Sequence, residues 1–433
     1  MCPLAEILHS KGYELSGSDN NETDTLKRIR ALGIPVTMGQ KAENIDGAEM
    51  IIYTAAIQAD NPELIAAKNS GIPTFERSKL LGAVSRKFEK CIGISGTHGK
   101  TTTTSMLTQV LINAGADPSA VIGGKLPMTG TNGITGTSDL FVCEACEYSN
   151  TFLELSPSCS VILNVDADHL EFFKTMENLE HSFAEFADMA ETVIYNGDDA
   201  NTLKVISTVK NKDFVTFGLA QSNDWYADDI TMNGGAFPEF DIYYKGEKQG
   251  RAVLSVPGNH NIYNALAAVA CAVYSGVDAT KAIELLTGFH GAGRRFEKLG
   301  EYKGITVVDD YAHHPAELRV TLEAAEKMDY KRVIAIFQPF TYSRTAMLLD
   351  DFAEVLKIPD KVIMTEIMGS REKNTYNIYT KDLAEKIPGS EWYDTFDKVA
   401  KRAEEIAESG DMIITLGCGD VYKIAKIIMD DLR

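Results

Sequence analysis

The residues of this chain that are best suited to chemistry lie in one short segment, 95–102. It combines two glycines with a lysine and several hydroxyl side chains. Glycine lets the backbone approach a ligand closely, lysine can reach the outer phosphates of a nucleotide, and a threonine hydroxyl can hold Mg²⁺. We therefore interpret the segment as a P-loop for a nucleoside triphosphate, with an ordinary strand-to-helix turn as the alternative. Its candidate binding residues are Gly96, Thr97, His98, Gly99, Lys100, Thr101 and Thr102.

The elements on either side of this loop would hold it in position. The stretch 90–102 is predicted to begin with a buried strand that includes Ile92 and Ile94, and a helix is predicted from about Lys100 to Ala114. A loop that opens a helix presents free N–H groups and the positive end of the helix dipole, which favours phosphate. The usual P-loop pattern has a glycine five residues before Gly99, where this chain has Ile94. Here Gly96 instead supplies the glycine that allows a tight loop.

Acidic and histidine side chains follow three further predicted strands, 140–143, 160–165 and 192–195. The carboxyl ends of parallel strands meet at one edge of a sheet, where α/β proteins bind their ligands. Carboxylate oxygens are also the ligands that Mg²⁺ prefers. One such acid by itself is more often a solvated loop residue. Their shared position beside a P-loop nevertheless predicts a magnesium–triphosphate site that includes Glu144 and His169.

The composition argues against several classes of partner. The chain has 42 basic and 62 acidic residues, hence a net charge of −20, which disfavours nucleic acid and anionic membranes. Its longest apolar run, 265–274, is too short to span a bilayer, and we see no signal peptide. Two of the seven cysteines, Cys143 and Cys146, have CxxC spacing, and we interpret them as reduced thiols. These features favour a protein of the reducing cytoplasm.

The length of 433 residues suggests about three domains. The C-terminal one is predicted to be an α/β unit whose last strand is followed by 417–420, interpreted as a tight strand-to-helix turn, with dinucleotide binding as the weaker alternative. Its predicted strands are 305–308, 333–337, 361–364 and 412–416. The predicted domains are 1–88, 89–298 and 299–433.

The first 88 residues are predicted to contain small α/β units, with a strand at 13–15 and Asp19 in the turn that follows it. An acid in that place often binds a ribose. The chain starts inside a predicted helix, whereas a parallel βαβ fold would open with a strand and a glycine loop. We therefore expect either a start further upstream or the loss of that first strand.

The central part of the chain carries further candidates. A glycine-rich segment, 123–136, is expected to be a mobile substrate loop, and 213–256 to add short antiparallel strands to the sheet. Asn261 opens an alanine-rich helix, either as a helix cap or as a carboxamide that reads an adenine edge. Arg294 and Arg295 could neutralise charge on a γ-phosphate.

With these residues in view, the chain resembles the Mur ligases over nearly its whole length. The loop 96–102 matches the ATP loop of that family, including the irregular glycine. The resemblance implies an α/β fold of three domains. These are a Rossmann-like N-terminal domain, truncated here, a central P-loop domain with a parallel sheet and a small antiparallel addition, and a Rossmann-like C-terminal domain.

The resemblance also implies roles for single residues. Glu144 with Glu147, and the run 164–169, are similar to the magnesium segment of the family. The implied catalytic residues are Lys100, Glu144, His169 and Arg295, and the implied metal ligands are Thr101, Glu144 and His169. The implied nucleotide contacts beyond the loop are His260, Asn261, Asn264, Arg295 and Asp310. The substrate contacts are Tyr311, His313 and Arg344, besides Asp19.

Two C-terminal segments, 310–315 and 338–344, are similar to those of alanine-adding members of the family. Such members commonly carry His and Arg where this chain has Phe340 and Thr341, and Cys146 stands where an Asp is common. The family also opens with a glycine-rich loop that cradles the UDP pyrophosphate, and no such loop precedes the first helix here.

The resemblance implies an ATP-dependent, Mg²⁺-dependent amide ligase of peptidoglycan precursor synthesis. Its substrates would be UDP-N-acetylmuramic acid and L-alanine, joined through an acyl phosphate when the third domain closes on the second. We expect a cytoplasmic monomer or weak homodimer. Two alternatives stay open, a murein-tripeptide recycling ligase of the same fold and a nucleotide-binding protein that no longer ligates. A folate-type polyglutamate ligase fits less well.

Overall fold

The computed structural model describes residues 1–370 and 372–432 of the chain. These residues form two compact units. The first comprises 1–228, 241–251 and 263–286, and the second comprises 229–240, 252–262 and the chain from Thr287 onward. The domain boundaries expected at 88/89 and 298/299 stay predictions.

The N-terminal part of the first unit alternates helices with three-residue strands. The strand predicted at 13–15 is wrong, because strand pairing begins at Gly17, whose N–H donates to Pro35. A strand this short is set by its partner, here Val36–Met38, rather than by a local apolar run. The elements are α1 (Cys2–Ser10), β1 (Gly17–Asp19), α2 (Asp24–Ala31), β2 (Val36–Met38), a 3₁₀ helix (Ala42–Ile45), β3 (Ile51–Tyr53), α3 (Pro62–Asn69), β4 (Thr74–Glu76) and α4 (Arg77–Ser85). Strands β1 and β2 pair in parallel, as do β3 and β4.

The middle of the chain contributes most of its strands to one large sheet. The elements up to residue 206 are β5 (Lys90–Ser95), α5 (Lys100–Asn113), β6 (Ser119–Leu126), β7 (Thr131–Ile134), β8 (Leu140–Glu144), a 3₁₀ helix (Tyr148–Glu154), β9 (Cys159–Ile162), α6 (Leu170–Phe173), α7 (Met176–Asp188), β10 (Thr192–Asn196) and α8 (Ala200–Ile206). They are followed by β11 (Asp213–Gly218), β12 (Trp225–Asn233), β13 (Phe237–Tyr244), β14 (Glu247–Val253), α9 (His260–Tyr274) and α10 (Ala279–Leu286). The strand order is β14-β13-β12-β11-β10-β9-β5-β8-β6-β7.

Strand β5 lies between β9 and β8 and runs parallel to both, which puts the end of β5 at the middle of the carboxyl edge. The strands and the helix predicted around the loop are confirmed, although β9 ends three residues before the predicted end. Strand β11 continues the parallel sheet instead of opening an antiparallel addition.

The segment 123–136 is not a loop, and that prediction is wrong. It forms most of a hairpin in which β6 and β7 pair antiparallel, while β6 also pairs with β8. Buried Ala120, Val121 and Leu126 anchor β6 to the core. This burial orders the segment despite its glycines.

The C-terminal part of the second unit is a six-stranded sheet with helices on both faces. Its elements are β15 (Glu297–Tyr302), β16 (Ile305–Asp310), α11 (Pro315–Glu326), β17 (Val333–Phe337), α12 (Tyr342–Met347), α13 (Leu349–Val355), β18 (Lys361–Thr365), α14 (Thr380–Ala384), β19 (Glu391–Tyr393), α15 (Phe396–Ile406), β20 (Met412–Leu416) and α16 (Tyr422–Leu432). The order is β15-β16-β20-β17-β18-β19, with only β15 antiparallel. The four strands predicted for this region are confirmed.

Both faces of this second sheet are buried, as parallel sheets require. Along β17, Val333, Ala335 and Phe337 pack into one apolar cluster, and the intervening Ile334 and Ile336 pack into another. The uninterrupted apolar sequence of this strand thus covers both faces. Of the helices that the structure describes, none is both long enough and apolar enough for a membrane crossing.

We predict that Phe186→Ala destabilises the first unit by about 3–5 kcal/mol, because a fully buried ring leaves a cavity. Phe186 has no exposed surface, and its ring stacks on Phe152 with centroids 4.8 Å apart. The measurement is urea unfolding followed by circular dichroism. Phe214, with 37% of its surface exposed, supplies the control, and Phe214→Ala should cost less than about 1 kcal/mol. Equal losses for the two variants would contradict this account of the core.

Candidate functional site

The loop between β5 and α5 has the backbone of a phosphate-binding turn. Gly96 and Gly99 have φ angles of 138° and 85°, a region that favours glycine. A Cβ at Gly99 would lie 2.5 Å from Asn264 Oδ1, and one at Gly96 would lie 2.9 Å from Leu163 Cβ. Only glycine fits either position without a shift of its neighbours. The predicted loop glycines are therefore required by conformation and by space.

Lys100 opens α5 and turns back toward its own loop. Its Nζ donates to the carbonyl oxygens of Gly96 and Thr97 and lies 2.9 Å from Glu147 Oε2. Glu147 is almost fully buried, with 2% of its surface exposed. Burial by itself would lower the pKa of Lys100, but the charge of Glu147, aided by Cys146 and Glu144, raises that pKa above its ordinary value. Lys100 is thus held as a partly buried cation.

Thr101 lies beside the acid predicted at the end of β8. Its Oγ1 donates to Glu144 Oε2 at 3.1 Å, and the same carboxylate accepts the backbone N–H of Gly123. The bond places Thr101, the threonine implied as a metal ligand, next to the implied ligand Glu144. On the other side of the helix, Thr103 Oγ1 lies 3.2 Å from Asn264 Oδ1.

His169 joins this group through Glu147. Its Nε2 lies 3.9 Å from Glu147 Oε1 and 3.7 Å from Asp168 Oδ2, and its ring centroid is 4.8 Å from that of Tyr148. His169 has a φ of 55°, which is uncommon for a residue with a side chain and costs conformational energy. The expectation that Glu144 and His169 lie at the mouth of the Lys100 loop is met by the geometry.

Thr97 and His98 fix the loop to the segment that follows β9. The His98 N–H donates to Asn164 Oδ1 at 2.8 Å, and Asn164 Nδ2 donates back to the His98 carbonyl at 3.1 Å. The Asp166 N–H donates to Thr97 Oγ1 at 2.8 Å. The side chains of Asn164 and Thr97 therefore hold the loop in its conformation.

The donor set near the loop fits a magnesium ion. It offers oxygen from the Thr101 hydroxyl and the Glu144 carboxylate, which Mg²⁺ prefers together with phosphate and water, and a ring nitrogen from His169. Within residues 1–370 and 372–432, no three His, Cys, Asp or Glu side chains converge to hold a metal by themselves. A metal here would need phosphate or water oxygens to complete its ligands.

In the second unit, Arg294 and Arg295 have different roles. Arg294 is used in the fold, because its guanidinium donates to Asp309 at 2.8 Å and to the Gly417 and Gly419 carbonyls at 2.6 and 3.1 Å. Both guanidinium groups lie over the Tyr311 ring, 5.0 Å from its centroid for Arg294 and 5.1 Å for Arg295. The role of Arg295 at a γ-phosphate stays a prediction.

Asp310 lies at the end of β16 beneath this arginine pair. Its two carboxylate oxygens accept the N–H groups of Phe296 and Ala312, each at 2.7 Å. Burial raises the pKa of Asp310 to about 6, although Arg295 and the two N–H donors act in the opposite direction. The residue is therefore a buried acid whose main contacts are in the backbone around Arg295.

The predicted substrate residues of the second unit lie at the carboxyl edge of its sheet. His313 Nδ1 is 3.1 Å from the Tyr311 carbonyl and 3.1 Å from Glu317 Oε2. The Phe340 ring lies 6.4 Å from the His313 ring, between centroids. Burial raises the pKa of Cys418 to about 12, while the positive charge of Arg344 acts against the rise. Tyr311 and His313 thus follow β16 and Arg344 follows β17, two parallel strands that are separated by β20 in the same sheet.

The remaining candidates are divided between the two units. His260 and Asn261 belong to the second unit and Asn264 to the first. Helix α9 begins at His260, so the helix-cap interpretation of Asn261 is wrong, and its Nδ2 donates to the Pro257 carbonyl at 2.7 Å instead. Asp19 ends β1, and its carboxylate accepts the N–H of Asn21.

Glu147 is the functional residue that the sequence analysis undervalued. It was noted beside Glu144 but received no role of its own. The structure makes it the shared partner of Lys100 and His169. The signal in the sequence was a second acid three residues after a strand-end acid, and its burial could not be read from that pattern.

A glycine loop between a parallel strand and a helix, with a partly buried lysine and an acid–hydroxyl pair beside it, defines a P-loop nucleotide-binding protein. Three sequence profiles match successive parts of the chain. They are described as "Mur ligase family, catalytic domain" (residues 1–89), "Mur ligase middle domain" (94–272) and "Mur ligase, glutamate ligase domain" (294–419). The chain belongs to the Mur ligase family, whose members are ATP-dependent enzymes that form carbon–nitrogen bonds. The resemblance found in the sequence is confirmed.

Relatives and solved structures agree with this assignment. The UDP-N-acetylmuramate–L-alanine ligase of Caldanaerobacter subterraneus subsp. tengcongensis is 43% identical over 100% of this chain and 95% of its own length. The crystal structure of the UDP-N-acetylmuramate–alanine ligase MurC from Thermotoga maritima has a TM-score of 0.84 at 26% identity, covering 99% of this chain and 95% of that one. A murein peptide ligase from Psychrobacter arcticus shares the fold, with a TM-score of 0.77 at 23% identity and coverage of 99% and 96%.

We predict that Asp310 makes the second unit less stable as the pH rises from about 4 to 6. Its folded pKa of about 6 exceeds the ordinary 3.8, so in this window the folded chain keeps a proton that the unfolded chain has released. The loss in free energy of unfolding is on the order of 3 kcal/mol. The measurement compares urea unfolding of the wild type and Asp310→Asn at several pH values. The asparagine variant should lack this loss, and a wild-type-to-variant difference that is independent of pH would contradict the prediction.

Proposed function

We propose that this protein uses ATP to join L-alanine to the lactyl carboxylate of UDP-N-acetylmuramic acid, a step of peptidoglycan precursor synthesis. The observation that carries the proposal is the group formed by Lys100, Glu147 and His169 beside the Thr101–Glu144 pair. A relative that bears this activity in its name, and is 43% identical over the full chain, supports the choice of substrates.

The reaction that we propose has two steps. A lactyl carboxylate oxygen attacks the γ-phosphorus of ATP, the bond to the bridging oxygen breaks, and ADP leaves. The amine of L-alanine then attacks the acyl carbon of the resulting acyl phosphate, loses a proton, and displaces inorganic phosphate. The products are the amide, ADP and phosphate, so that atoms and charges balance.

The physical obstacle in the first step is the repulsion between two anions. Two unit charges 4 Å apart repel by about 4 kcal/mol at an effective dielectric constant near 20. Lys100 supplies a fixed positive charge beside the outer phosphates, and we assign Arg295 the same task at the γ-phosphate. Thr101, Glu144 and His169 would hold Mg²⁺, which supplies further positive charge when bound. The protein therefore acts mainly by positioning and neutralising.

For the amino-acid substrate we assign Arg344 to the carboxylate and His313 to the surroundings of the amine. The wild-type side chains Phe340 and Thr341 leave Arg344 as the cation of the segment 338–344. Asn261, His260 and Asn264 are assigned to the adenine side of the nucleotide, and Asp19 to the UDP-sugar. We expect a cytoplasmic monomer or weak homodimer, and light scattering at several protein concentrations tests the oligomeric state.

We predict that Lys100→Ala lowers L-alanine-dependent phosphate release at least about 100-fold, the scale of losing one preorganised charge contact. The measurement supplies ATP, Mg²⁺, UDP-N-acetylmuramic acid and L-alanine, and follows phosphate. Lys210, exposed on a loop of the same unit, gives the matched control Lys210→Ala, which should keep wild-type turnover. Turnover of Lys100→Ala within a few-fold of wild type would contradict the role assigned to Lys100 at the phosphates. Release stimulated by the murein tripeptide in place of L-alanine would favour the recycling ligase.

We predict that Arg344→Ala raises the KM for L-alanine at least about tenfold and leaves the KM for ATP unchanged. The reason is the loss of a charged hydrogen bond to the substrate carboxylate, worth about 1.5–3 kcal/mol. Steady-state kinetics with each substrate varied in turn give both constants. The exposed Arg319 on α11 provides the control Arg319→Ala. Equal changes in both KM values would show that Arg344 acts on the fold and not on the amino acid.

A further inference from the structure

The Lys100 ammonium has three protein partners in this structure. An ammonium has three N–H donors, and its partners are the Gly96 carbonyl, the Thr97 carbonyl and the Glu147 carboxylate. Both carboxylate oxygens take part, at 2.9 and 3.1 Å from Nζ. Lys100 can therefore contact a phosphate only by giving up at least one of these partners.

Of the three partners, Glu147 is the one whose separation from Lys100 has the largest consequence. The carboxylate has 2% of its surface exposed, so water cannot replace the lysine. A buried charge that loses its partner is strongly unfavourable. The incoming phosphates are themselves negative and would add to the repulsion. Removal of Lys100 therefore requires another positive charge near Glu147.

A place for that charge lies between Glu147 and His169. Glu147 Oε1, which is 3.1 Å from Lys100 Nζ, also lies 3.9 Å from His169 Nε2. A carboxylate and an imidazole at this separation can share a divalent cation after a small adjustment, and carboxylate oxygen suits Mg²⁺. His169 is already an assigned metal ligand, whereas Glu147 has no assigned role.

We propose that Glu147 is a positioning residue that couples nucleotide binding to the binding of a divalent cation. Glu147 holds Lys100 against the loop. When phosphate draws Lys100 away, Glu147 takes up a cation together with His169. Nucleotide without a cation then binds weakly, because it leaves a buried carboxylate unpaired. This inference rests on the proposed function, since it needs a nucleotide at the Lys100 loop.

The test measures ADP binding to the full chain by titration calorimetry, once with Mg²⁺ and once with EDTA at the same ionic strength. The readout is the factor by which Mg²⁺ tightens ADP binding. In Glu147→Gln no buried charge is left behind, so ADP binding in EDTA should tighten at least about tenfold and the Mg²⁺ factor should fall at least about tenfold. Glu147→Asp keeps the charge and should retain most of the factor.

The matched control is Glu191→Gln, an exposed glutamate just before β10, at the opposite end of that strand from the site. It should keep the wild-type factor. If Glu147→Gln does not fold, as judged by circular dichroism, Glu147→Ala replaces it, and the same fall in the factor is expected. If the folded Glu147 variant shows the same Mg²⁺ factor for ADP binding as Glu191→Gln, the inference is overturned. Failure of the wild type to bind ADP even with Mg²⁺ would instead overturn the proposed function.

Discussion

A partly buried positive charge must be matched by negative charge or by hydrogen-bond acceptors, and this requirement organises the site of the first unit. Lys100 satisfies it with two carbonyls of its own loop and with Glu147. The loop must therefore turn tightly enough to bring its carbonyls back to the lysine, which requires glycine at 96 and 99. The acid must come from a neighbouring strand. The P-loop, the end of β8 and the segment after β9 are thus held together by one charge.

The parallel sheet makes this arrangement possible. Because β8, β5 and β9 are adjacent and parallel, whatever follows each of them lies at the same edge. Glu144 and Glu147 follow β8, Lys100 follows β5 and His169 follows β9. No long side chain has to reach across the sheet. The same principle operates in the second unit, where Asp310, Gln338 and the turn at 417–420 follow three neighbouring strands.

The second unit shows how two adjacent arginines can be separated by function. Arg294 donates hydrogen bonds to Asp309 and to two carbonyls of the turn after β20, so it stabilises the local fold. Its own φ of 59°, and that of Phe296 at 48°, mark a backbone that is strained on either side of Arg295. The burial of Asp309 and Asp310 beneath the pair supports this conformation. Arg294 thus stabilises the fold around Arg295, whose guanidinium lies over the Tyr311 ring.

The amino-acid sequence by itself determined the P-loop, the strands that surround it and the acids at their ends, because these features depend on local patterns. An apolar run of five or six residues, a glycine at a sharp turn and a lysine at a helix start can each be recognised without knowledge of distant contacts. The four predicted strands of the second sheet and the position of α5 succeeded for this reason. Only the tertiary structure decided which neighbours pair. In the structure the first strand is Gly17–Asp19, and the glycine-rich segment belongs to the β6–β7 hairpin. Arg294 binds Asp309, a contact that the sequence did not predict. The tertiary structure also buried Glu147 against Lys100, since burial and partner choice depend on residues that are far apart in the chain and meet only when the sheet is assembled.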